Sequence, residues 1–236
     1  MSDSRRGFVP SDEIEFNKES QILLRKAQSD IQYLLDRGYP VKNASTFVGN
    51  HYMLSERQRL AVVRATAESA ILNLRNRKQL NIDTLGKKVH IDGLNIIITL
   101  EVALSNGILI RCMDHTIRDL AGLRGTYRLI DQTDQAIMLI GEKLTEFNIE
   151  EVVFYLDSPV SNTGRLKQRI QELLKEYPYQ VVVELVNNAD VILEKLDNVI
   201  TGDAIILNKC EGWYNLVAEI IKEKLPRLEC VDLSSY

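Results

Sequence analysis

Between residues 19 and 35 the apolar positions Ile22, Leu23, Ala27, Ile31, Leu34 and Leu35 recur at intervals of three and four, with polar residues between them. That spacing predicts an amphipathic helix with one face toward a core. Arg37-Gly38-Tyr39-Pro40 ends it, because glycine readily takes the left-handed C-cap conformation and proline cannot continue a helix. A short helix is predicted from Asn43 to about Gly49, and Ser55 ahead of Glu56-Arg57-Gln58 is placed as the N-cap of another. The apolar stripe of that helix, Leu60, Val63, Ala67, Ala70, Ile71 and Leu74, runs to about Arg75. Residues 18–78 thus read as wholly helical, without an internal repeat of fixed period.

Beyond Asp83-Thr84-Leu85-Gly86 the pattern changes to short apolar runs alternating with helical segments. Strands are predicted at 88–91, 152–156, 180–185, 199–200 and 204–207, with a further one at 108–112. Helices are predicted at 133–147, 165–176, 189–196 and 213–224. Strands joined by helical crossovers form an open, mostly parallel sheet with helices on both faces. The expected organisation is a small all-α domain over residues 1–80 and an α/β domain over 81–236.

Composition narrows the class. With 45% hydrophobic and 26% charged residues, five prolines and twelve glycines, the chain is neither disordered nor collagenous. No apolar stretch approaches the roughly 20 residues that cross a bilayer, and no apolar run follows Arg5-Arg6, so no membrane association is expected and the cytoplasm is the default location. Cys112, Cys210 and Cys230 lack metal-ligand spacing and read as reduced small hydrophobes. Residues 1–80 carry 13 Lys and Arg against 9 Asp and Glu, whereas the remainder carries 16 against 24. A basic helical part that meets a polyanion, beside an acidic part that holds cations, is one reading of this asymmetry; chance is the other.

In open α/β sheets ligands gather beyond the carboxyl ends of the strands, and three such ends carry acid. His90-Ile91 runs into Asp92, Tyr155-Leu156 into Asp157, and Ile200-Thr201-Gly202 into Asp203; Asp190 opens the helix after Asn187-Asn188-Ala189. Each alone is explained as a cap or turn residue. Together, carboxylates converging on one edge repel unless a proton or cation joins them, which favours a hard ion, Mg2+ or Mn2+.

Ile91-Asp92-Gly93-Leu94-Asn95, Asn187-Asn188-Ala189-Asp190-Val191 and Thr201-Gly202-Asp203 resemble, in order and spacing, the acidic signatures of PIN-like and NYN-like nuclease domains. The resemblance spans about residues 85–225. It implies a three-layer α/β/α sandwich whose acidic pocket holds divalent metal and cleaves RNA phosphodiesters, with Asp92, Asp190 and Asp203 as metal ligands and Asn95 as an adjacent polar contact. The whole chain also resembles a prokaryotic family joining a short helical domain to a PIN-like one, through Leu34-Leu35-Asp36-Arg37-Gly38-Tyr39-Pro40, Ser55-Glu56-Arg57-Gln58-Arg59-Leu60 and Asp157-Ser158-Pro159-Val160-Ser161-Asn162-Thr163-Gly164. One departure stands out: where PIN-like nucleases commonly carry a second acid two residues after the position of Asp203, this chain has Ile205. Asp157, Glu101 and Asp114 are the available substitutes.

Two further stretches carry chemistry. Arg111, Asp114, His115, Arg118, Asp119, Arg124 and Arg128 crowd 18 residues, which suits either phosphate-facing arginines, Arg118 and Arg124 among them, or a self-neutralising network. Ser158 and Asn162 lie in a loop that could offer polar groups to a phosphate or simply cap the next helix. Arg57, Arg59, Arg64, Arg75, Arg77 and Lys78 form either an RNA-facing set or a solvated face. No glycine-rich fingerprint follows the first strand, so neither a dinucleotide cofactor nor a P-loop is expected. The expectation is a metal-dependent ribonuclease, or a noncatalytic adaptor for RNA, a ribonucleoprotein or another protein; a homo-oligomer is left open.

Overall fold

The computed structural model describes residues 5–122 and 125–234. The chain begins with five helices, α1 (Asp12–Glu15), α2 (Lys18–Leu35), α3 (Val41–His51), α4 (Glu56–Ala65) and α5 (Ser69–Lys78). Asn17 caps α2 by accepting the Ser20 N–H, and Ser55 and Gln58 form the reciprocal capping box of α4. The single helix expected from Ser55 to Arg75 is two helices. Arg118 and Met113, from a different part of the chain, donate to the Arg64 and Ala65 carbonyls, and Thr66 turns extended, so the backbone starts again at Ser69.

The order then runs β1 (Lys88–Asp92), α6 (Gly93–Leu104), β2 (Leu109–Arg111), β3 (Ile117–Asp119), α7 (Asp131–Leu144), β4 (Glu151–Asp157), α8 (Thr163–Leu173), β5 (Gln180–Val186), α9 (Ala189–Leu193), β6 (Val199–Ile200), α10 (Ala204–Lys209), β7 (Trp213–Tyr214), α11 (Leu216–Lys224) and β8 (Val231–Asp232). The main sheet is wholly parallel, in the order β5-β4-β1-β6-β7. Side-chain alternation along β4 divides its two faces: Val152, Phe154 and Leu156 enter a core with α6, α7, α8 and α11, whereas Val153 and Tyr155 pack with Leu193, Leu207 and Trp213. Both faces are therefore covered, as a buried parallel strand requires. His90, between Val89 and Ile91 on β1, points to the face of Tyr155 with Nδ1 3.1 Å from the Tyr155 hydroxyl, a packed strand residue.

Three expectations need correction. Residues 204–207 are helical: the Asp203 carboxylate accepts the Ile205 and Ile206 N–H groups at 2.7 and 3.3 Å and starts α10, and a short apolar run cannot by itself distinguish a buried helix from a strand. Trp213 does not begin a helix; it lies in strand β7, paired with Val199, and α11 starts at Leu216. The strand predicted at 108–112 exists but belongs to a second, three-stranded sheet of order β3-β2-β8. Ile110, Cys112, Leu120, Val231 and Leu233 from that region share one core with Leu24, Ile31, Val48, Ala61 and Val62 of the helical part.

From β1 the chain crosses to β4 and β5 on one side, then returns to β6 and β7 on the other. The carboxyl ends of β1 and β6 thus flank the point where strand order reverses, which is the ligand crevice of doubly wound sheets.

Candidate functional site

Asp92 closes β1 at that crevice, and Gly93 follows because a Cβ there would meet Leu156 Cδ2 at 2.6 Å and the Tyr155 carbonyl at 3.0 Å. The Asp92 side chain is only 6% exposed and accepts a 2.8 Å hydrogen bond from Thr201 Oγ1, just past β6. Thr201 Oγ1 in turn accepts the Asp203 N–H at 2.9 Å, and Asn95 Oδ1 accepts the Gly202 N–H at 2.8 Å. These contacts pin the β6–α10 turn against the start of α6.

Asp92, Asp157, Asp190 and Asp203 all line one cavity of about 510 Å3, together with Asn95, Arg118, Asp119, Arg64 and Ile205. The sheet edge has brought the four predicted aspartates to one place. Burial pushes Asp92 up to about 7, with the negative charges of Asp203 and Asp190 adding to the effect and the Thr201 hydrogen bond opposing it. Asp190 is also raised, first by burial and then by Asp203 and Asp157. Asp157 also accepts the Ala189 N–H at 2.8 Å and so anchors the start of α9.

The donor set suits a hard divalent cation in chemistry: carboxylate oxygens whose shared negative charge is relieved by a proton or a metal ion. Among the described residues, however, no three His, Cys, Asp or Glu side chains form a joint ligand group. Of the substitutes for the acid absent at Ile205, only Asp157 reaches the cavity. Glu101 is fully buried elsewhere, paired with Arg6 and accepting from Tyr127 and Thr133. Asp114 is held by Arg75 and Arg118, each at 2.6 Å, and by Thr116; burial opposes its charge, but these partners keep its carboxyl below the ordinary range.

The arginines sort themselves. Arg118 lines the cavity, yet its guanidinium donates to the Gly202 carbonyl at 2.7 Å, to the Arg64 carbonyl and to Asp114, so it holds the turn bearing Asp203. Arg124 lies outside the described residues. Ser158 and Asn162 are not among the cavity's lining residues: Ser158 sits beside Asn187, and Asn162, in the left-handed conformation, donates to the Tyr127 carbonyl at 2.8 Å. Arg57 pairs with Asp12 and Arg75 is buried against Asp114, so the predicted basic set of the helical part is no continuous stripe. Arg64, partly exposed, reaches the cavity while donating to the Asp119 carbonyl at 2.5 Å.

Sequence reading missed Thr201 and the cavity role of Asp119. Asp119 is buried, accepts from Thr99 at 2.8 Å and from the Ala121 N–H at 2.8 Å, and is shifted upward by burial. A hydroxyl residue immediately before Gly202-Asp203 was the available signal for Thr201; nothing in the local pattern around Asp119 placed β3 beside α6.

The protein is thus a helical segment joined to a doubly wound α/β unit with acids at its switch point. Residues 82–219, more than half of the chain, match the family described as Domain of unknown function (DUF5616), and the chain belongs to it. Residues 23–78 match a second family, Protein of unknown function (DUF434), so the chain joins two families of unknown function. Uncharacterized protein MJ0935 of Methanocaldococcus jannaschii is 36% identical over 202 residues, covering 84% of this chain and 97% of that relative. No solved structure matches. Among the described residues no helix is long and apolar enough to cross a membrane.

Proposed function

We propose that this chain is a divalent-cation-dependent ribonuclease whose site is the cavity holding Asp92, Asp190, Asp203 and Asp157. The observation that carries this reading is the convergence of Asp92, Asp157, Asp190 and Asp203 on one cavity at the reversal of strand order. A three-carboxylate cage is not required, because Mg2+ commonly retains several waters and takes only one or two carboxylates plus substrate phosphate oxygens. Asp92 and Asp203 would hold the ion, with Asp190 completing the negative field. A bound Mg2+ or Mn2+ supplies charge neutralisation at the phosphate and lowers the pKa of water. Thr201 orients Asp92, Asn95 and Arg118 fix the Gly202 backbone, and Arg64 offers its exposed side to a phosphate oxygen.

The rival is a noncatalytic adaptor that keeps the cavity without turnover. Ile205, 53% exposed at the cavity where a further acid would stand, favours it. Cleavage of a single-stranded RNA oligonucleotide in Mn2+ distinguishes the two. Under the nuclease reading Asp92→Asn lowers the rate by a factor on the order of 100 or more, and millimolar metal raises the Tm of the wild type but not of an Asp92→Asn, Asp203→Asn variant. Equal cleavage by wild type and Asp92→Asn, or a wild-type Tm unmoved by metal, overturns it.

A further inference from the structure

A second cavity, of about 350 Å3, adjoins the acidic one, and Ala121 lines both. Its walls carry Arg6, Arg57 and Arg128 beside the backbone of Gly7 and Gly122. Two of these arginines are already engaged. Arg57 donates to Asp12, to the Gly7 carbonyl at 2.8 Å and to the Leu120 carbonyl at 3.2 Å. Arg6 pairs with Glu101 and donates to the Arg128 carbonyl at 2.5 Å. The Arg128 side chain is exposed, and no hydrogen bond or ion pair holds its guanidinium among the described residues. Among the described residues three guanidinium groups thus have two counter-carboxylates, which leaves one positive charge and one free donor fork on the lining.

The dividing wall belongs to both chemistries. Asp119 lines the acidic cavity and accepts the Ala121 N–H, so the backbone that ends β3 separates the acids from the arginines. A strand of repeated phosphates entering a carboxylate-lined cavity meets repulsion there, and an adjacent positive field offsets it. A planar guanidinium free on its donor edge matches phosphate oxygens in a bidentate way, which an ammonium does not.

We propose that the Arg128 cavity binds the backbone phosphate of a single-stranded RNA next to the segment held in the acidic cavity, with Arg128 as the contacting residue and Arg6 and Arg57 as fixed sources of field. This deepens the ribonuclease reading and rests on it for the identity of the polyanion. It also divides the arginine-rich stretch by role: Arg118 holds the fold of the site, and Arg128 meets the ligand.

The test uses the full chain and a fluorescently labelled single-stranded RNA oligonucleotide, with affinity measured in Ca2+ at several salt concentrations and cleavage measured in Mn2+. Arg128→Gln is expected to weaken binding about 5-fold, the upper range for an exposed charge pair, and to make the salt slope shallower by about 0.7, the contribution of one single-strand phosphate. Arg128→Lys keeps the slope while losing part of the affinity. In cleavage, Arg128→Gln raises KM and leaves kcat unchanged. Because Arg128 is exposed and unpaired, its replacement leaves Tm in place, which a melting scan checks. If Arg128→Gln binds with wild-type affinity and slope while Asp92→Asn abolishes cleavage, this site is overturned and the nuclease reading stands. If no preparation cleaves but Arg128→Gln weakens salt-dependent binding, the site stands and catalysis is overturned. RNA that does not bind at all overturns the site.

Discussion

Asp92 shows how one side chain can be costly to the fold and useful to the site. Its carboxyl is raised from the ordinary range near 4 to about 7, chiefly because burial disfavours the charge and then because Asp203 and Asp190 repel it. The folded state therefore holds a proton that the unfolded chain releases between about pH 4 and pH 7. Stability from this group is fully present below about pH 4 and is lost as pH rises through about 7, on the order of 4 kcal/mol by the size of the shift. In metal-free buffer the wild-type Tm should fall over that interval. Asp92→Asn should remove this part of the slope and raise the Tm at pH 8 by about 10 °C for a chain of this size. Thermal scans at several pH values in chelator check both; a variant no more stable than wild type at pH 8 refutes the buried-charge account. At this scale Asp92, Asp157 and Asp203 were legible because each follows a strand end, and Asp190 because it opens the helix after Asn187-Asn188-Ala189. Arg118 was not: its spacing gives no sign that three protein acceptors surround its guanidinium.

Between elements, a buried ionic group ties the surroundings of the site together. Asp114, 1% exposed, accepts from Arg75 of α5 and from Arg118 of β3, and Arg75 also donates to Asn208 Oδ1 at 2.8 Å in α10, while the Trp213 indole donates to the Arg75 carbonyl at 2.9 Å. The helical part, the small sheet and the turn carrying Asp203 thus meet at one carboxylate. Removing a single partner leaves charges buried without compensation, so Asp114→Ala should destabilise by about 3–5 kcal/mol, measured by chemical denaturation. A loss below about 1 kcal/mol would show that water or another group satisfies Arg75 and Arg118. The same region marks where sequence reading fails at this scale. Long amphipathic elements such as α2, α7 and α8 are set by their own periodicity and were legible. The two-residue strands β7 and β8 carry too few positions for any period, and Ala204-Ile205-Ile206-Leu207 reads as a strand because only the Asp203 cap distinguishes it from one.

For the molecule as a whole, the pattern changes near residue 80 but the packing continues across it. Leu24, Ile31, Val48 and Ala61 of the helical segment lie in one core with Ile110, Cys112, Leu120, Val231 and Leu233. Leu80 N–H donates to the Trp213 carbonyl at 2.7 Å, and Gln79 bridges to Trp213 at the edge of the main sheet. Cutting the chain there would expose Ile110, Leu120, Val231 and Leu233. At roughly 1.5–3 kcal/mol for each fully buried aliphatic side chain, these four alone represent about 6–12 kcal/mol. That is comparable with the entire 5–15 kcal/mol stability of a typical domain, so neither piece retains enough to fold well alone. The intact chain should therefore unfold in one cooperative transition, with calorimetric and van't Hoff enthalpies in agreement. A fragment of residues 81–236 should be aggregated or show no sharp transition. Two separated transitions in the intact chain, or a soluble fragment melting as the parent does, would show that the shared core contributes little and that the helical segment is an independent module.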